Sequence, residues 1–112
     1  MTDLPVILRV HELYGAICIV TEKLAGVKRQ TIGRRLEDAV LQLLEWLIMS
    51  KNAPKAHKAI YLIKAVATAE IIDFHLQTLL EQKLANATTV NQLLAKNHEV
   101  SRQIGGWLKS AQ

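Results

Sequence analysis

A chain of 112 residues that is half apolar yet only 4% aromatic has to build its core from Leu, Ile, Val and Ala. That suits a single helical domain over residues 1–112 better than a sandwich or barrel, which leans on β-branched and aromatic residues. Its one cysteine, Cys18, rules out an internal disulfide and points to a reducing cytoplasm. The net charge of +4 is concentrated, with residues 27–58 carrying +4, residues 86–112 carrying +2, and residues 1–26 and 59–85 carrying −1 each.

The first helix is expected to start near Asp3 to Pro5, since proline is tolerated where the N–H is unpaired anyway. Val6, Val10, Leu13, Ile17, Val20 and Leu24 recur at the three-and-four spacing of one helical face. Cys18 and Tyr14 flank that stripe as packing residues. Gly26 is placed to end the helix in a left-handed cap.

A basic connection, Lys28-Arg29-Gln30, leads to the second helix, which Thr31 can cap. Ile32, Leu36, Val40, Leu43, Leu44 and Leu47 form its apolar face, and Asn52-Ala53-Pro54 breaks it. The third helix runs from about Pro54 to Lys83. Its expected stripe is Ala56, Ile60, Ile63, Ala67, Ile71, Phe74 and Thr78, widened by Leu62, Val66, Leu76 and Leu79. A stripe so wide implies burial on more than one side.

Thr89 and Gln92 fit a capping box for the fourth helix, whose apolar residues are Val90, Leu93, Leu94, Val100, Ile104, Trp107 and Leu108. Gly105 and Gly106 interrupt its last turns at up to about 1 kcal/mol each relative to alanine, which predicts a close neighbour there. Short links between four helices predict an all-α, up-down-up-down antiparallel bundle. Such a bundle divides its basic residues between two ends, Lys28, Arg29, Arg34 and Arg35 at one and Lys51, Lys55, Lys58 and Lys109 at the other.

Signals for chemistry are sparse. None of the seven glutamates is followed three residues later by histidine, as a di-iron bundle requires. His11, His57, His75 and His98 are scattered, and no glycine-rich phosphate loop is present. Glu70 and Asp73 share a side of the third helix, from which they could pair with Arg34 and Arg35 of the neighbouring helix. The reading is therefore no catalytic residues, no metal and no cofactor. No apolar run approaches the roughly 20 residues of a membrane span, and Met-Thr-Asp-Leu-Pro does not open like a signal peptide. Clustered arginines and lysines suit phosphate backbones without reading bases. Trp46, Trp107, Tyr14, Tyr61 and Phe74 look mostly buried by spacing, so few rings remain to stack on single strands.

Two stretches resemble a known family. Arg29-Gln30-Thr31-Ile32-Gly33-Arg34-Arg35-Leu36-Glu37-Asp38-Ala39 and Ile104-Gly105-Gly106-Trp107-Leu108-Lys109-Ser110 resemble the second-helix start and C-terminal end of Avd-like proteins. Those are the accessory variability determinants of diversity-generating retroelements. Leu4-Pro5-Val6 and the four-helix layout extend the resemblance over almost the whole chain. It implies a homopentameric barrel with a basic surface that binds the retroelement's reverse transcriptase and its RNA or cDNA during mutagenic retrohoming. Arg34 and Arg35 match the family's basic block, Lys109 the basic residue after its tryptophan, and Lys28 and Arg29 more loosely its basic lead-in. Five copies would together carry about +20. Two alternatives stand beside this reading: an RNA-binding protein of the ribosomal-RNA intervening-sequence type, in the same superfamily, and a structural interaction module whose basic ends only keep it in solution.

Overall fold

The computed structural model describes residues 4–112. Four long helices, α1 (Leu4–Thr21), α3 (Arg34–Asn52), α4 (Lys58–Glu81) and α5 (Ala87–Ala111), pack in a ring, each beside its neighbours in sequence and α5 beside α1. No strand occurs among the described residues. Short links turn the chain back at each end, giving a body of 44 × 22 × 19 Å with the core along its long axis. A single helical turn, α2 (Gly26–Lys28), continues through a π-wound turn (Arg29–Gly33) into α3.

The apolar faces expected of the first, second and fourth helices are the observed core faces. Val6, Val10, Leu13, Ile17, Val20 and Leu24 are buried, as are Leu36, Val40, Leu43, Leu47, Val90, Leu93, Val100 and Ile104. The third is different. α4 turns Leu62, Ala65, Ala69, Ile72, Leu76 and Leu79 inward and leaves Ile60, Ile63, Ala67, Ile71 and Phe74 exposed. The small Ala65 and Ala69 let α4 come close to its neighbours, which the larger outward residues could not. Asn97 of α5, fully buried, donates to the Ala69 carbonyl at 3.0 Å and so fixes the height of α5 against α4.

Several helix ends differ from expectation. Asn86, not Thr89, caps α5: its side chain accepts from the Thr89 N–H at 3.0 Å. Thr31 lies inside the π turn, its hydroxyl donating to the Val27 carbonyl at 2.9 Å. Gly26 does take positive φ, +32°, but it opens α2 after a short turn instead of capping α1. α1 is described from Leu4, inside the range Asp3 to Pro5 expected for its start, and Asp3 itself lies outside the described residues.

The glycines divide sharply. A Cβ on Gly33 would stand 3.2 Å from Leu24 Cδ1 and 3.4 Å from the Lys28 carbonyl oxygen, so the end of α1 sits directly on this backbone. Gly105 and Gly106 have nothing within 4 Å of that position. The close neighbour expected there is absent within one chain. Gly33→Val should therefore destabilise by about 1–3 kcal/mol through overpacking, whereas Gly106→Ala should stabilise by up to about 1 kcal/mol. Thermal or urea melts of both variants check this; equal effects would mean that Gly33 is not a packing point.

Candidate nucleic-acid interface

The turn between α1 and α3 gathers one end of the bundle. Gly33 lies under Leu24, and the Lys28 ammonium reaches Gln82 Oε1 at 3.5 Å, so the residues that follow α1 and α4 meet the turn leading into α3. Lys28, Arg29, Arg34 and Arg35 are all exposed at this end. The same geometry adds two cations that sequence reading passed over, Lys23 after α1 and Lys83 after α4, both exposed. The up-and-down path could have found them, because residues ending the first and third helices must lie where the second begins.

Glu22, Glu37, Asp38 and Glu81 lie at the same end, but among the described residues none of these cations forms an ion pair. Ion pairs among the described residues are Arg9–Glu12, Arg102–Glu99 and, when the imidazole is protonated, His98–Asp73. Glu37 instead accepts from the buried Thr21 hydroxyl. Asp73 bonds His98 Nε2 at 2.6 Å and Gln77 Nε2 at 2.6 Å, and Glu70 forms no ion pair. A pairing of Glu70 and Asp73 with Arg34 and Arg35 is therefore not formed, because both acids face the α5 side of α4. Arg35 lies instead near His75, whose pKa is lowered by partial burial and secondarily by that positive charge.

Lys23 and Lys83 follow the C-termini of α1 and α4, where the macrodipole favours cations, but it does not account for Lys28 and Arg29. Lys28 and Arg29 stand in the first turn of the helix that begins at Gly26, where the positive end of the macrodipole disfavours cations. Lys83 sits in the left-handed region at φ 54°. It closes α4 with the two bonds of a Schellman ending, Leu84 N–H to the Leu79 carbonyl at 2.9 Å and Lys83 N–H to the Leu80 carbonyl at 3.2 Å. Glycine is the usual residue there.

The opposite end is less available. Lys51, Lys55 and Lys109 are exposed, but Lys58 is half-buried and donates to the Ser50 and Lys51 carbonyls at 2.9 Å each. Of the four lysines expected as binding groups at this end, it caps α3 instead. Arg102 is bound to Glu99 at 2.5 Å, and its hydrogen bond, with a second from Gln103, pulls the Glu99 carboxyl down to about 2.

Among the rings, Trp46 stacks on Tyr61 with centroids 6.4 Å apart, and Lys64 lies over Trp46 at 5.3 Å. Trp46, Tyr14, Tyr61 and Trp107 are half-buried. Phe74 departs from expectation at 69% exposed, because it belongs to the outward face of α4. No group of three or more His, Cys, Asp or Glu side chains that could hold a metal occurs among the described residues. None of the described helices is long and apolar enough to cross a membrane. Comparison with known proteins finds no matching family model and no matching curated protein.

Lys83→Gly should raise stability by about 1 kcal/mol by relieving the left-handed strain while weakening binding to single-stranded RNA. A melt and a binding titration on the same variant check both. Stability gained with binding unchanged would remove Lys83 from the interface.

Proposed function

We propose that this protein is a non-catalytic adaptor that binds nucleic-acid phosphates through Lys28, Arg29, Arg34 and Arg35, with Lys23 and Lys83 beside them. The observation that carries the reading is the exposure of these cations at one end of the bundle with no ion pair to any of them among the described residues. Arginine forks match phosphate geometry, and the shortage of exposed rings at this end favours backbone contact over base stacking.

The resemblance of residues 29–39 and 104–110 to Avd-like proteins supplies the wider setting of this proposal. In it the chain forms an up-down-up-down bundle that assembles in more than one copy, five in the family it resembles. It joins a diversity-generating retroelement's reverse transcriptase to its RNA or cDNA in the cytoplasm. Lys51, Lys55 and Lys109, at the far end, are then free to meet the polymerase.

Replacing both Arg34 and Arg35 by Glu should leave the circular-dichroism melt nearly unchanged. It should also flatten the dependence of log K on log salt for single-stranded RNA by about 1.4, the release from two phosphates. An unchanged slope would place the phosphate contacts elsewhere. A tagged pull-down with and without nuclease tests the partner. A reverse transcriptase recovered in both samples supports the adaptor role, and ribosomal RNA without a polymerase would overturn it in favour of the intervening-sequence type.

A further inference from the structure

A hollow of about 270 Å³ opens at the turn between α3 and α4, lined by Met49, Asn52, Ala53, Pro54, His57 and Tyr61. Tyr61 stacks on Trp46 with 6.4 Å between centroids and 24° between planes, and the Lys64 ammonium lies 5.3 Å from the Trp46 ring. Trp46 and Lys64 do not line the hollow, so Tyr61 stands between them and it. The order along the seam of α3 and α4 is therefore cation, ring, ring, space. Bounded by Tyr61, the Met49 thioether and the Pro54 ring, that space admits one more plane onto the stack.

The surroundings are short of negative charge. Residues 46–69 include four lysines, His57 and no acid. The C-terminus of α3 points its last carbonyls at this end, and its macrodipole alone would oppose an anion. Lys58 offsets that: its ammonium donates to the Ser50 and Lys51 carbonyls at 2.9 Å each. Lys55 and His57, in the turn beside Pro54, stay exposed. Asn52 donates its amide to the Ile48 carbonyl at 2.9 Å, which leaves its Oδ1 as an acceptor on a residue that lines the hollow.

We infer that the hollow binds one nucleotide, its base laid on the free face of Tyr61 and its phosphate met by Lys55 and His57. A single ring system suits the volume, which falls near the lower limit of ligand pockets, about 300 Å³. Stacking accepts any base, because every base has a π face, while the Asn52 oxygen favours one that carries an exocyclic amine. This site is separate from the phosphate contacts of the proposed function, which lie at the other end of the bundle and involve no base. Of the far-end lysines it uses only Lys55 to meet the ligand, and Lys51 and Lys109 keep the role proposed above.

Titration of the full-length protein with adenosine 5′-monophosphate (AMP), followed by nuclear magnetic resonance, should shift the Met49 methyl and the Tyr61 and Trp46 ring signals. Tyr61→Ala should weaken AMP binding about 5- to 150-fold, the loss of one stacked base. Ribose 5-phosphate, which lacks the base, should bind more weakly than AMP by a similar factor. Tyr61→Phe should bind like the unmodified chain, because the ring and not the hydroxyl is used. Ala53→Leu, which fills the hollow without touching the stack, should abolish binding and keep the melt. No shift of these signals at millimolar AMP would overturn the site. Ribose 5-phosphate binding as tightly as AMP would overturn the base slot, as would AMP binding unchanged in Tyr61→Ala and Ala53→Leu. A 5′-phosphorylated single-stranded RNA that moves the same signals and is displaced by AMP supports the end of a strand as the source of the nucleotide; AMP moving them where that RNA does not supports a free one. AMP binding retained in the Arg34/Arg35 variant supports a site independent of the proposed function, and AMP binding lost there would overturn it.

Discussion

One constraint shapes this molecule: α4 is apolar on two opposite faces, and a ring of four helices can cover only one. The inner face, built on Leu62, Ile72, Leu76 and Leu79, is fully withdrawn from water and supplies hydrophobic stabilisation of about 1.5–3 kcal/mol per large side chain. The outer face, with Ile60, Ile63, Ile71 and Phe74, gains nothing from the fold of one chain. Within one chain it stays exposed; only a second molecule could cover it, and such contact would link stability to concentration.

The same constraint helps explain where the charges are. With the outward side of α4 apolar, much of the basic charge is left to the ends of the bundle. One end holds cations that form no ion pair among the described residues and one lysine, Lys83, in a conformation that favours glycine. At the other end Lys58 is drawn into closing α3. The two ends are thus unequal in what they can offer a polyanion, although counting their lysines and arginines makes them look equivalent.

Much of the fold was legible because three helices carry a single apolar stripe, and a single stripe has one reading. α4 was misread for a physical reason. Spacing weighs Ile60, Ile63, Ile71 and Phe74 as strongly as any core residues, while Ala65 and Ala69 look too small to define a core. Close helix packing reverses that ranking, since small residues are what allow the approach that Asn97 seals. Gly33 and the pair Gly105–Gly106 look alike in sequence, yet only the first lies under another element. At the basic end, Lys28, Arg29, Arg34 and Arg35 were visible as a run, whereas Lys23 and Lys83 join them only through the turn of the chain. Asn86 caps α5 because the helix begins at Ala87, which places Thr89 inside its first turn, where its N–H receives the cap.

The central claim is that the exposed cations around the turn between α1 and α3 hold nucleic-acid phosphates. Titration of single-stranded RNA with the unmodified protein, from low to high salt, tests it most directly. The account predicts binding that weakens steeply as salt rises, with log K falling linearly with log salt. Binding that is absent at low salt, or unmoved by salt, would contradict it.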